Sequence, residues 1–144
     1  MKFIILGSAT KDSEAGVLPT SEEMSKMIEF QEELVNAGVY VAGEGLQRSA
    51  KGARITFGAG GKTTIKNGPF TEAKELIAGF SIIQTKSLDE AIAWMSRMPV
   101  PEGSSLEVRQ LFTDEDFAPI DPTGELREQD ANNRAQAEKQ PTKG

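Results

Sequence analysis

The strongest constraint on this chain is a local grammar that occurs twice: a short apolar run, a capped amphipathic segment, and another short apolar run. Thr20-Ser21-Glu22-Glu23 follows Pro19 and has the form of a capping box, in which the Thr20 hydroxyl accepts from the Glu23 amide while the Glu23 carboxylate reaches back. Met24, Met27, Ile28, Leu34 and Val35 then recur at helical spacing, so they share one face, and Gly38 can take the left-handed conformation that closes a helix. Ser87-Leu88-Asp89-Glu90 repeats the box, with Leu88, Ala91, Ile92 and Met95 as its stripe, Trp94 at the stripe's edge and Pro99 as its stop.

Strands are expected around these helices at Lys2 to Gly7, Val39 to Gly45, Arg54 to Phe57, Thr63 to Lys66, Gly79 to Thr85 and Leu106 to Phe112. Gly58-Ala59-Gly60-Gly61 links the third run to the fourth and reads as a hairpin turn. The order is strand, helix, strand, inserted hairpin, strand, helix, strand. Two split βαβ halves of this kind make a ferredoxin-like α+β sandwich, βαββαβ with an inserted β-hairpin, both helices lying on one face of an antiparallel sheet. The other face is then uncovered, and apolar residues in Phe80-Ser81-Ile82-Ile83 and Leu106-Glu107-Val108 would be exposed in a monomer. A homodimer is therefore expected, its sheets packed together or closed into a barrel, with a pocket between sheet and helix or between subunits.

Residues 1–113 read as this domain and 114–144 as an acidic polar tail. Glu115, Asp116, Asp121, Glu125, Glu128 and Asp130 crowd the tail, and few large apolar residues follow Phe117 and Ile120. Burial there cannot offset ordering entropy, so a mobile arm is expected, helical from Pro122 to Glu138 when docked, either solvated or engaging a protein partner.

What the 144 residues lack narrows the chemistry further: there is no Cys and no His, and 22 carboxylates against 16 Lys and Arg leave a net charge of −6. Disulfides, thiolate catalysis, haem and iron–sulfur ligation, the Ser-His-Asp triad and almost every zinc site are excluded. An acidic surface disfavours nucleic acid and anionic membranes as partners. The apolar run after Lys2 is too short for a secretory leader and suits a buried strand, and no run approaches a membrane span, so a cytoplasmic protein is expected. Gly61-Lys62-Thr63 lacks the earlier glycine of a phosphate loop, position 56 being Thr56, and Gly43-Glu44-Gly45 meets Arg48 where a dinucleotide fingerprint needs glycine. No cofactor or resident metal is expected, although Glu44, Glu72 and Glu75 are the carboxylates a cation would use.

The informative stretch is Asn67-Gly68-Pro69-Phe70-Thr71-Glu72-Ala73-Lys74-Glu75, ahead of Gly79-Phe80. Gly68-Pro69 imposes a sharp turn, Phe70 is expected to anchor it in the core, and Glu72, Lys74 and Glu75 then point either into a cleft or into solvent. Glu44, between two glycines, reads as a pocket carboxylate, or as a residue beside a bulge paired with Arg48, Arg54 or Arg109.

Gly43-Glu44-Gly45-Leu46-Gln47, Asn67-Gly68-Pro69-Phe70 with Glu72, Lys74 and Glu75, Gly79-Phe80, and Asp89-Glu90-Ala91 with Trp94 together resemble the YCII-related proteins of the DGPF type, from Met1 to about Phe112. The resemblance implies a dimeric α+β barrel. It departs at Asn67, where the family motif begins with Asp, and in lacking the His of the His–Asp pair of better-known relatives, so their acid–base mechanism does not carry over. Two functions follow. The first is an enzyme of the lyase, isomerase or hydrolase class, with Glu44 and Glu75 as acid and base, Lys74 stabilising negative charge, and Asn67, Phe70 and Glu72 binding ligand. The second is a non-catalytic dimeric binding or regulatory module that senses a small molecule or engages a protein partner through the tail.

Overall fold

Capping chemistry sets the two long helices of the first unit. In the computed structural model, which describes residues 1–72 and 75–142, the Glu23 amide donates to Thr20 Oγ1 at 3.1 Å and the Thr20 amide to the Glu23 carboxylate at 2.9 Å. Helix α2 (Ser21–Asn36) begins on that box; the shorter α1 (Lys11–Glu14), which the sequence reading does not include, precedes it. Gly38 ends α2 at φ +72°, with Gly38 N–H on the Val35 carbonyl and Val39 N–H on the Leu34 carbonyl, the paired bonds of a Schellman motif. Helix α3 (Leu88–Met95) starts at Ser87, whose hydroxyl accepts from the Glu90 amide. The Glu90 carboxylate accepts from Lys86 N–H at 2.7 Å, one residue earlier than the box expected from sequence.

The sheet runs β2 (Tyr40–Gly45), β5 (Ile77–Gln84), β1 (Lys2–Ser8), β6 (Leu106–Gln110), with every pair antiparallel. Strands β1 and β2 flank β5, and β5 and β6 flank β1, which is the split βαβ pattern expected from the element order. Strands β3 (Ala53–Phe57) and β4 (Thr63–Asn67) form a separate two-stranded sheet.

One face of the sheet carries the core. Phe3 and Ile5 of β1, Val39, Ile83 of β5, Phe30 and Leu34 of α2, and Ala91 and Met95 of α3 are all buried. Tyr40, Trp94, Leu106 and Val108 pack around them. The apolar stripe expected on α2 is corrected: Met24, Ile28 and Val35 are more than half exposed, and Phe30 takes the central position. The buried residues of α2 are Phe30 and Leu34, both in its second half. Leu88 and Ile92 of α3 are also exposed.

The opposite face shows as two rows in register. Glu44, Phe80, Leu6 and Glu107 form one, and Ala42, Ile82, Ile4 and Arg109 the other. Strand alternation therefore sends Ile83, Leu106 and Val108 to the helix side, contrary to the sequence expectation, and leaves Ile4, Leu6, Phe80 and Ile82 as the apolar centre of the open face. Among the described residues no helix is long and apolar enough to cross a membrane.

Phe112–Gly144 forms a second compact unit. Its helix α4 (Glu125–Lys139) follows a 3-10 segment at Asp114–Ile120. Asp121 is buried at the start of α4, accepting from the amides of Leu126 (3.2 Å) and Arg127 (3.0 Å) and from Arg127 Nε (3.1 Å). The Arg127 amide holds the Asp121 carboxyl below the usual carboxylate range, against the opposing effect of burial and with help from Leu126 and the guanidinium. A depressed folded value stabilises α4 above the ordinary carboxylate pKa of about 3.9, and that contribution disappears as pH falls through the lowered value. The Leu126 and Arg127 amide resonances should therefore titrate only below the ordinary range, and Asp121→Asn should remove that titration; a transition at or above about pH 4 would contradict the assignment.

Candidate functional site

A long-range hydrogen-bond chain fixes the turn that leads to the site. Ser49 N–H donates to Glu14 Oε1 at 3.1 Å, the Ser49 hydroxyl donates to Glu14 Oε2, and Phe70 N–H donates to that hydroxyl at 3.0 Å. Gly68 N–H meets the Gly52 carbonyl at 3.0 Å. Gly68 itself lies against the Ser49 backbone, where a Cβ would overlap the carbonyl oxygen and come within 2.5 Å of the carbonyl carbon. Only glycine fits this approach. The Phe70 ring is not part of the core as expected; it lies beneath the Arg54 guanidinium, 4.2 Å from carbon to ring centroid. Asn67 is exposed at the end of β4, opposite Ala53.

Beyond the turn, Glu75 N–H closes on the Glu72 carbonyl at 2.9 Å, and Ala9 N–H takes the Leu76 carbonyl at 2.8 Å. The backbone is thus held against the end of β1, and Glu75 is brought to a groove of about 470 Å³. Glu75, Glu107, Ser8 and Ser105 are its polar groups, and Leu6 and Leu106 are among its apolar ones. The groove lies where β1 ends and β5 and β6 begin. Ser8 and Ser105 are tied to each other, Ser105 N–H donating to Ser8 Oγ at 3.2 Å and Ser8 N–H to the Ser105 carbonyl at 3.0 Å.

The site residues expected from sequence do not converge. Glu75 is in the groove; Glu72 is exposed and does not line it; Lys74 lies outside the described residues. Glu44 stands on the edge strand β2, at the opposite end of its row from Glu107. Three strand spacings of about 4.8 Å separate those two carboxylates by roughly 14 Å. The pairing of Glu44 with an arginine is not formed either: Arg48 donates to the Ala15 carbonyl at 3.4 Å, Arg54 covers Phe70, and Arg109 faces Glu107 at 3.9 Å. The bulge in β2 falls between Tyr40 and Ala42, before the glycines. Gly43 is needed for close packing, since a Cβ there would stand 3.2 Å from the Phe80 carbonyl. Among the described residues no three carboxylates are placed to hold a metal.

Glu107 is the groove residue that sequence reading passed over as a site. Its signal was the alternation of Leu106-Glu107-Val108-Arg109, which places Glu107 and Arg109 on the face away from the helices. Glu75 and Glu107 make the groove an acceptor-rich, anionic surface backed by aliphatic side chains. Such a surface suits a small molecule that offers hydrogen-bond donors and carries no negative charge.

The class is an antiparallel α+β sandwich covered by helices on one face, with an acidic groove at one end of its sheet. The YCII-related domain matches residues 1–114, and the chain belongs to that family. Among solved structures it is similar to the 5-chloro-2-hydroxyhydroquinone dehydrochlorinase (TftG) from Burkholderia phenoliruptrix AC1100, in complex with 2,5-dihydroxybenzoquinone. The two share 19% identity over 80% of this chain and 98% of that chain, with a TM-score of 0.41. No curated protein matches the chain.

Proposed function

We propose that this chain is a homodimeric small-molecule-binding protein of the cytoplasm whose ligand occupies the sheet-end groove, with proton transfer by carboxylates as the chemistry available there. The observation that carries the reading is the convergence of Glu75 and Glu107 on one groove whose volume lies in the range of small-molecule sites. Two carboxylates on different elements, one on the turn before β5 and one within β6, can divide the roles of acid and base. A positioned general base contributes about 10²–10⁴-fold. A phenol, alcohol or amine would donate to one carboxylate while the other accepts or returns a proton, as in a lyase, isomerase or hydrolase. The apolar centre of the open sheet face supports the dimer, since a second copy would remove Ile4, Leu6, Phe80 and Ile82 from water.

Binding without turnover is the second reading, and the exposure of both Glu75 and Glu107 favours it, because neither carboxylate is enclosed as an acid–base catalyst usually is. A thermal-shift screen against phenols, amines, lactones, small carboxylates and divalent metals tests the site. A ligand at 100 times its dissociation constant stabilises by about 2.7 kcal/mol. A phenol or amine is expected to raise the melting temperature of the natural chain and to lose that effect in Glu75→Gln. A hit unaffected by both Glu75→Gln and Glu107→Gln would remove the groove from the proposal. Following the hit by NMR over time then separates turnover from binding alone.

A further inference from the structure

The β3–β4 hairpin is the most exposed ordered feature of the first unit. All ten of its strand residues are exposed, with Ile55 and Ile65 facing each other across the ladder at 56% and 65%, and Phe57 at 80%. A two-stranded hairpin is marginal in water by itself. Its charge is equally uneven: five of the chain's sixteen cations, Arg48, Lys51, Arg54, Lys62 and Lys66, fall between Gly45 and Thr71, and none of its twenty-two carboxylates does. An acidic protein thus carries one basic, apolar-faced projection. Its counterpart on the same chain is the groove, which is acidic through Glu75 and Glu107, aliphatic beneath, and lined by no hairpin residue.

We propose that the hairpin is an exchange arm that docks in the sheet-end groove of a second copy of this chain, seating Phe57 on the aliphatic wall and bringing Lys62 to Glu75 and Glu107. The inference rests on the homodimer proposed above and specifies which surfaces it joins. Topology supports the reach. The hairpin leaves the sheet after β2 and returns into β5, at the same end where β1 stops and β6 begins. In a face-to-face pair whose two-fold axis runs along the strands, the β2 edge of one copy overlies the β6 edge of the other, at matching ends. Each hairpin then meets the partner's groove, and the contact is made twice. Opposite charge orients the approach, and burial of Phe57, Ile55 and Ile65 supplies affinity. The ligand site is then completed by the partner, whose lysine closes a groove that is otherwise open and lined by two carboxylates and no cation.

The absence of cysteine makes the test clean. A chain carrying Lys62→Cys is mixed with a differently tagged chain carrying Ser105→Cys and mildly oxidised, while sedimentation equilibrium reads the assembly of the unaltered protein. The proposal expects a dimer in sedimentation and a disulfide-linked heterodimer in the mixture, with neither variant cross-linking alone. It also expects Lys62→Glu to weaken dimerisation at least about tenfold and Glu107→Lys in the same chain to restore it. A dimer without the mixed cross-link and without charge-swap rescue would overturn the exchange arm while leaving the homodimer standing. A monomer at all concentrations would overturn both.

Discussion

Gly68→Ala is expected to destabilise the Met1–Leu111 unit by about 3 kcal/mol, at the upper end of the usual range for overpacking, because the new methyl group meets backbone rather than a side chain that can rotate away. The Ser49 carbonyl would have to retreat, and with it the bonds from Gly68 N–H to Gly52 and from Phe70 N–H to the Ser49 hydroxyl. Those bonds hold the turn that precedes Glu75, so ligand-induced stabilisation should fall together with intrinsic stability. Urea denaturation measures the first effect and the thermal-shift response the second. Gly45→Ala is the matched control: a Cβ there meets nothing within 4 Å, and the change should stay within about 0.5 kcal/mol. Equal losses at the two positions would show that backbone approach at Gly68 is not what the turn requires.

Phe3→Ala should destabilise more, by roughly 3–5 kcal/mol, which is a large share of the 5–15 kcal/mol typical of a domain. Phe3 is 1% exposed on the central strand, opposite Ile83 on one side and Gln110 on the other, in the cluster with Phe30, Leu34 and Met95. Its removal leaves a cavity walled by two strands and two helices, elements too constrained by pairing to collapse into it. Chemical denaturation of the purified variant measures the loss, and a value below about 1.5 kcal/mol would place Phe3 outside the core.

Features that depend on neighbours in sequence were legible before the structure. Thr20 with Glu23 forms a reciprocal cap within four residues, Gly38 closes the same helix, and the glycine-rich turn between Phe57 and Thr63 joins its own two strands. Strand order followed because two capped helices between short strands admit few topologies. Features that depend on distant contacts were not legible. The role of Phe30 is set by its packing in one cluster with the distant Phe3 and Ile83, and the seating of Phe70 by Arg54 on the hairpin. The Glu14–Ser49 bond spans 35 positions, and nothing in either local sequence announces it. Glu44 and Glu75 both read from sequence as carboxylates beside glycine-bearing strands, yet strand spacing, not sequence distance, decides which carboxylate shares the groove with Glu75. That residue is Glu107, from a strand whose alternation had been read only for its apolar members.

The place of β1 in the sheet bears on how the chain acquires its structure. As the central strand, β1 pairs Lys2 with Gln84 and Gly7 with Leu106. Synthesis therefore releases Phe3, Ile4, Ile5 and Leu6 long before either neighbouring strand exists to receive them. Long-range pairing of this kind slows folding, since chain closure must precede the contacts that reward it. During that interval these apolar residues have no strand to pair with, and the first pairing of β1 waits on the emergence of β5, some seventy positions later in the chain.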